Sequence, residues 1–584
     1  MVEDMDSDGS LHFDKTSSKS GSCAGTVCSS CLRRLRALIP INYREELLHI
    51  GKLAGPVFIS QLMVFMISFV STVFCGHLGK TELSAVALAT AVINVTGISI
   101  GSGLSSACDT LISQTFGGCN LKRVGVILQR GVLILLLACF PCWALLINTE
   151  PILLAVKQSP EVARLSQLYV KIFMPALPAA FLSQLQARYL QNQGIIWPQV
   201  ITGVVGNILN ALINYVFLFV LNLGVPGSAA ANTLSQYSLA ILLYAYMIWK
   251  KLHKVTWGGW STECLQEWGP FIHLAIPSML MMCLEWWTFE LGGFLAGLVS
   301  EVELGSQSVV YILATIAYMF PLGFSVAVSV RVGNALGAGN KENAKLSAKI
   351  GIASAILVSV FVAAIIGGTK DVIAYVFTND PEIRERVSQV MVLYAPFHLF
   401  DAAACVTAGV VRGAGKQKIG AMGILVGYYF IGLPIGISLM FAAHMGIIGL
   451  WTGLLICVAL QSCFLIVFII KMNWNKATDE ALLRAGVQNA PHRNDGMENG
   501  LETPSPSQDT LQQMQVEDPN PLGGHTDLEG LNEGGQAAGT SVSTVGKVLP
   551  FRSLVLRRGL ALCGALFILA AGVIINLVLI NILG

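Results

Sequence analysis

Residues 559–584 read GLALCGALFILAAGVIINLVLINILG, twenty-six positions without one charged side chain. About 20 predominantly apolar residues suffice to cross the hydrocarbon core of a bilayer. Working back from this stretch, similar windows fall at about 53–75, 83–106, 124–148, 165–190, 198–222, 227–249, 271–298, 304–330, 346–367, 388–411, 419–441 and 447–470. The whole chain has the same character. Of 584 residues 54% are hydrophobic and 12% charged, where a soluble protein carries about 25% charged residues. With a mean hydropathy of +0.66 there is too little polar side chain to cover a water-soluble globule. A net charge of +2 gives no electrostatic footprint for nucleic acid. The fold expected is an all-α polytopic membrane protein with a twelve-span core and a thirteenth, C-terminal span.

Residues 1–45 form an N-terminal tail in which no apolar signal-peptide core occurs before residue 50, so the first span is expected to direct insertion itself. Residues 46–250 and 270–472 hold six spans each, joined by a linker at 251–269. Residues 473–555 are rich in Asn, Asp, Glu, Gln, Gly, Pro and Ser and are expected to be a disordered linker ahead of the last span at 556–584. Lysine and arginine set orientation. Even-numbered loops hold Lys122, Arg123, Arg188, Lys250, Lys251, Lys254, Lys341, Lys345, Arg412, Lys416 and Lys418; odd-numbered loops hold fewer. The even loops, the N-terminus and the 473–555 linker are therefore expected in the cytoplasm, and the C-terminus outside.

The two halves echo each other at a spacing of about 220 residues. Glu82-Leu83 answers Glu303-Leu304, Gln114–Gly118 answers Asn334–Ala338, Gln191–Gly194 answers Arg412–Gly415, and Leu223–Gly227 answers Met445–Gly449. Six spans per half is an even number, so both lobes enter the membrane in the same sense. That makes them parallel repeats about an axis along the membrane normal, a transporter architecture.

An acid within a span costs roughly 2.5–3.5 kcal/mol and needs a reason. Glu285 lies deep in the seventh window and is followed by Trp286 and Trp287. A carboxylate beside aromatic faces suits an organic cation. Desolvation disfavours the ionised form, so the same carboxyl can hold a proton instead. One group that binds either species, but not both, is the minimum for an exchanger. The plainer alternative is a structural acid satisfied by a neighbouring hydroxyl or amide. Glu290 lies about 140° around the helix from Glu285, so the two are not expected to share one cavity equally. Asp401 in the tenth window is a second protonation candidate, with His398 one turn away as a packing residue. Asp109 near the cytoplasmic end of the second window reads as a structural or gating partner for a basic loop residue. Glu82, Glu301 and Glu303 fall at an outer boundary and are expected to be solvated. Pro175, Pro178, Pro277 and Pro321 mark possible bends. Most of the 14 cysteines are scattered singly through apolar runs, and Cys28-x-x-Cys31 lacks a second pair at zinc spacing, so no metal site or disulfide framework is expected. No nucleotide-binding motif supplies ATP as an energy source.

Val73–Gly79, Ser113–Gly117 and Val330–Gly339 resemble the signatures of the multidrug and toxin extrusion (MATE) family, over about residues 45–475, and the thirteenth span with Glu285-Trp286-Trp287 is most similar to its vertebrate branch. The resemblance implies a proton/organic-cation antiporter of the apical plasma membrane, functional as a monomer, exporting cationic drugs and metabolites, with H⁺ as coupling ion and no cofactor. It implies transport roles for Glu285 and Glu290, places Asp401 where relatives carry glutamate, and matches Cys75 and Cys139 to transport-sensitive thiols. Ile312 follows Tyr311 where relatives have a glutamate, which bears on proton stoichiometry and substrate range. Alternatives are a sodium-coupled exporter or a lipid-linked oligosaccharide flippase of the wider superfamily. A transport-dead membrane interaction protein is the alternative from a different class.

Overall fold

The computed structural model describes residues 41–75, 79–378, 380–489, 540–542 and 549–583. Helices occupy every predicted window. Eleven are long and apolar enough to cross a membrane, and a twelfth crossing is the pair Pro160–Phe173 and Ala176–Gln191, bent by 57°. Gly224–Trp249 has the length, 26 residues, about 39 Å of helix, but Ser228, Asn232, Thr233 and Ser235 dilute its hydropathy. In chain order the spans are span 1, Ile41–Cys75; span 2, Thr81–Gly117; span 3, Leu121–Leu146; span 4, the bent pair; span 5, Trp197–Val220; span 6, Gly224–Trp249. The second lobe follows with span 7, Trp268–Val299; span 8, Glu301–Gly337; span 9, Lys341–Thr369; span 10, Pro381–Gly413; span 11, Gln417–Ala442; span 12, Ile447–Lys471. Span 13 is Phe551–Leu583.

Local chemistry sets many of the ends. Ser159, Ser300 and Asp380 cap spans 4, 8 and 10 through Val162 N, Glu303 N and Glu382 N, with Pro160 and Pro381 in the first turns. Pro175 breaks span 4, whereas Pro277 and Pro321 sit inside continuous helices. The internal repeat is visible in the turns. Cys119 and Gly339 have φ of 56° and 77°, Gly194 and Gly415 have 79° and 73°, and Gly224 and Gly446 have 63° and 60°. Equivalent left-handed turns thus recur 220 to 222 residues apart, and in five of the six positions glycine removes the steric penalty.

Each lobe buries its own apolar core, and the lobes converge at the end carrying the basic loops. There Glu46 of span 1 accepts from Arg331 Nε at 2.9 Å and from Ser347 Oγ at 2.6 Å. Gln114 Nε2 donates to Gly413 O at 2.9 Å. Gly117 and Gly337 let the span 2 and span 8 backbones touch: a Cβ on Gly337 would lie 1.9 Å from Gln114 O. Span 13 leans on the outside of span 3. Gly572 admits Ala144, Asn148 Nδ2 donates to Gly572 O at 3.0 Å, and the Arg558 guanidinium lies 4.2 Å over the Trp268 ring.

The 473–555 segment is not disordered from its start. Trp474–Ala485 is a helix, Val487–Asn489 pairs antiparallel with Thr540–Val542, and span 13 begins at Phe551 rather than 556. Average composition concealed an amphipathic stripe: Asn473 caps the helix, and Trp474, Ala477, Thr478, Ala481 and Ala485 are buried at helical spacing. Residues 490–539 and the tail 1–40, with Cys28 and Cys31, lie outside the described residues. This docking helix touches both lobes. Asn120 Nδ2 donates to Ala485 O at 2.9 Å, Arg484 Nη1 donates to Gln114 Oε1 at 3.3 Å, and Glu480 pairs with Lys416 and Arg484 at 2.8 and 3.0 Å. Burial works against the Glu480 carboxylate, but the two cations outweigh it and hold its pKa below the usual carboxylate range. A depressed folded pKa means the docking energy is present at neutral pH and is lost as pH falls through that value. Glu480→Gln at neutral pH should raise amide hydrogen exchange over 474–485 about two- to fivefold, the scale of a part-exposed ion pair. Unchanged exchange would show that the apolar stripe alone holds the helix.

Candidate substrate and proton site

Glu285 and Asp401 come together where spans 7, 8, 10 and 11 meet. Glu285 of span 7 is half-buried, and Tyr318 of span 8 donates its hydroxyl to Glu285 Oε1 at 3.3 Å. Asp401 of span 10 is buried and lies within electrostatic reach of Glu285. Cys405 and Tyr428 stand in the field of both acids. Arg412 is near enough to influence Glu285, but its guanidinium donates to Ser325 Oγ at 2.7 Å, and Glu285 forms no ion pair among the described residues. Glu285 therefore faces the lobe interior and is not locked to an arginine.

Glu290 lies one and a half turns further along, with Tyr311 in its field and no hydrogen bond among the described residues. Tyr311 and Tyr318 are seven residues apart, hence on one face of span 8. The two glutamates make two tiers against that face rather than one shared pocket. Ile312 is partly buried beside Tyr311.

The two tryptophans do not share the face of Glu285. One and two positions on, they lie about 100° and 200° around the helix. Trp287 is exposed and its indole N–H donates to Val95 O of span 2 at 3.0 Å, bridging the lobes; Trp286 is half-buried. The second lobe has an internal aromatic wall of Phe289, Tyr394, Phe397 and Trp451, with ring centroids 5.2 to 6.3 Å apart around Trp451, of which the last three are fully buried core side chains. Trp451 is fixed by Nε1 donating to Gln307 Oε1 at 2.9 Å. Tyr318, Tyr428 and this wall escaped the sequence reading, because neutral hydroxyls and rings cost little in an apolar window. The one available signal was the Tyr311/Tyr318 heptad spacing.

The remaining candidates are structural in surroundings. Asp109 is ion-paired with Arg188, whose Nε donates to Ser105 Oγ at 3.0 Å, while Asn192 Nδ2 donates to Asp109 Oδ1 at 3.3 Å. Cys75 and Cys139 are fully buried, Cys75 Sγ 2.9 Å from Ser228 Oγ and Cys139 Sγ donating to Leu135 O at 3.4 Å. Glu303 is not solvated: it is buried, ion-paired with Arg386, and accepts from Ile447 N at 2.7 Å. His398 is fully buried and neither ring nitrogen has a partner among the described residues, so it is not the satisfied packing residue expected. No group of metal-ligating side chains occurs among the described residues.

The first lobe is chemically different. Its interior network joins Ser71, Asn210, Asn214, Asn232, Ser235 and Tyr169, all neutral amides and hydroxyls. Displaced by 221 residues, Glu285 and Asp401 fall on Val64 and Ala180. Neither equivalent position carries an acid, and the buried carboxyls of the first lobe, Asp109 and Glu46, are ion-paired with Arg188 and Arg331.

Two repeated lobes of membrane-spanning helices, the second holding carboxyls that form no ion pair among the described residues, define a membrane transport protein. The MatE family model matches residues 56–216 and again 277–437, a displacement of 221 residues that coincides with the repeat. Multidrug and toxin extrusion protein 1 of Danio rerio is 68% identical, covering 95% of this chain and 94% of its own length. The human protein of that name is 52% identical over 93% and 96% of the two chains. The crystal structure of the eukaryotic MATE transporter AtDTX14 superposes with a TM-score of 0.74 at 30% identity, covering 76% of this chain and all of that one. This chain belongs to the MATE family of multidrug and toxin extrusion transporters.

Proposed function

We propose that this chain exports organic cations in exchange for protons, with Glu285 as the shared group, Asp401 as its partner carboxyl and Glu290 as a second tier. The observation that carries the reading is the pairing of Glu285 with a hydroxyl rather than with a cation. Facing outward, the carboxyl takes a proton and Tyr318 orients its oxygen. Facing inward, it releases the proton and the carboxylate is free for a cation. Protonation on the next outward stroke neutralises the site and discharges the cation. The chain acts as a monomer in an apical plasma membrane, with the basic loops cytoplasmic and the C-terminus outside. A flippase of pyrophosphate lipids would want several cations here, whereas the site holds two carboxyls, Glu285 and Asp401, against the single cation Arg412 in their field.

One proton exchanged for one monovalent cation is electroneutral, so a tenfold proton ratio sustains at most a tenfold cation ratio. The test is radiolabelled tetraethylammonium uptake into vesicles with an acidic lumen. Uptake should rise above equilibrium and collapse when the pH gradient is dissipated. Uptake that ignores the pH gradient and follows an imposed sodium gradient would replace the proton scheme with a sodium-coupled one.

A further inference from the structure

Outside the transport site, on the flank of the second lobe at its basic end, spans 9 and 12 diverge around a cavity of about 580 Å3. Its upper wall carries Lys341, Lys345 and Lys349; its deeper wall is Ile352, Ile466 and Ile470, and Trp474 of the docking helix closes one side. At four-residue spacing the lysines descend one helix face for about 12 Å, passing from loop level into the apolar zone. Their partners leave charge to spare. Lys341 Nζ donates to the neutral Asn475 Oδ1 at 2.8 Å, and Lys345 pairs at 2.9 Å with Glu342, which is 69% exposed. Lys349, the deepest, is exposed and has no hydrogen-bond acceptor among the described residues. Three ammonium groups face one glutamate.

The fold does not require this stripe. At the local repeat displacement of 220 residues, the three lysines correspond to Leu121, Gly125 and Gln129 of span 3. That flank of the first lobe is covered: a Cβ on Gly125 would meet Thr256 O of the inter-lobe linker at 2.2 Å, Gln129 Nε2 donates to Gly259 O at 2.6 Å, and span 13 packs further along. The second lobe leaves the equivalent surface open to lipid and lines it with cations. A cleft with clustered ammonium groups above an apolar floor, at the level of the headgroups, matches a lipid bearing several negative charges.

We infer that this cleft is a binding site for a polyphosphoinositide of the leaflet on the basic-loop side, its phosphates on Lys341, Lys345 and Lys349 and its acyl chains along Ile352, Ile466 and Ile470. The site lies apart from Glu285, so its failure and the failure of the proton scheme are separable.

The test uses the full chain in phosphatidylcholine nanodiscs doped with phosphatidylinositol 4,5-bisphosphate, or with phosphatidylserine at matched total charge, and reads bound lipid by native mass spectrometry. Wild type should retain the bisphosphate lipid more than tenfold over phosphatidylserine, and the triple variant Lys341→Gln/Lys345→Gln/Lys349→Gln should lose most of that preference, about a lysine-by-lysine loss. The triple variant should elute from size exclusion as a single species and unfold at the wild-type temperature, which shows that it is folded whatever ion drives transport. Equal retention of the two lipids by wild type, or an unaltered preference in the folded variant, overturns the site. Free inositol trisphosphate should bind far more weakly than the lipid; binding as tight would assign the lysines to a soluble phosphate and remove the lipid. A variant that fails to fold is replaced by Lys349→Gln alone, read in the same way.

Discussion

Glu285→Gln abolishes tetraethylammonium accumulation driven by a pH gradient, while the protein still reaches the membrane and elutes as a single folded species. Glutamine has the shape of protonated glutamic acid and its amide oxygen still accepts from Tyr318, so the contact at 3.3 Å survives. It cannot release a proton or present a negative charge. A hydrogen bond or contact to a charged group is worth about 1.5–3 kcal/mol, which alone weakens cation binding by about tenfold to a hundredfold. Loss of the proton step removes the coupling altogether, because Asp401 is buried deeper and Glu290 lies on the other tier. Measured uptake should therefore fall to the gradient-free level, and varying lumenal pH should no longer alter it. Wild-type accumulation in the glutamine variant would discard Glu285 as the shared group.

Asp109→Ala should produce the largest loss of stability. Asp109 is buried and Arg188 largely so, and Arg188 also reaches Ser105 and Ser102 O. Truncating the acid leaves a guanidinium charge in low dielectric with only neutral acceptors, a penalty of about 3–5 kcal/mol for a broken buried pair. Removing both partners in Asp109→Ala/Arg188→Ala removes the stranded charge, so the double variant should be more stable than the single. Denaturant or thermal unfolding of wild type, Asp109→Ala, Arg188→Ala and the double variant in detergent reads this directly. Additive losses would show that Asp109 and Arg188 contribute independently and that the pair is not a unit.

Particular residues show how far the chain could be read without coordinates. The spans followed from runs of about 20 apolar residues, and the repeat from turn residues: Gly194/Gly415 and Gly224/Gly446 are short-range conformational requirements that leave a mark at fixed spacing. Glu285 was visible because an acid inside such a run is rare. Composition misled at Trp474–Ala485, where a polar average hid an apolar stripe, and at Glu303, where a position at the membrane boundary suggested solvent but Arg386 and Ile447 N enclose it.

What the sequence determined by itself was therefore everything set within one helix or one turn: the helical class, the positions of the spans, the twofold repeat and the presence of acids within the apolar runs. Tertiary structure decided which acids are occupied. Asp109 and Glu303 form ion pairs with arginines 79 and 83 positions away, whereas Glu285 is hydrogen-bonded to a tyrosine hydroxyl, with Asp401 and Arg412 in its field but no ion pair among the described residues. It also turned Trp287 toward the other lobe, where its indole N–H meets Val95 O. The physical reason is range. Hydropathy and backbone conformation are local properties of a few residues, while the charge state and the partners of a buried carboxyl depend on whatever side chains packing brings within a few ångströms, irrespective of their distance along the chain.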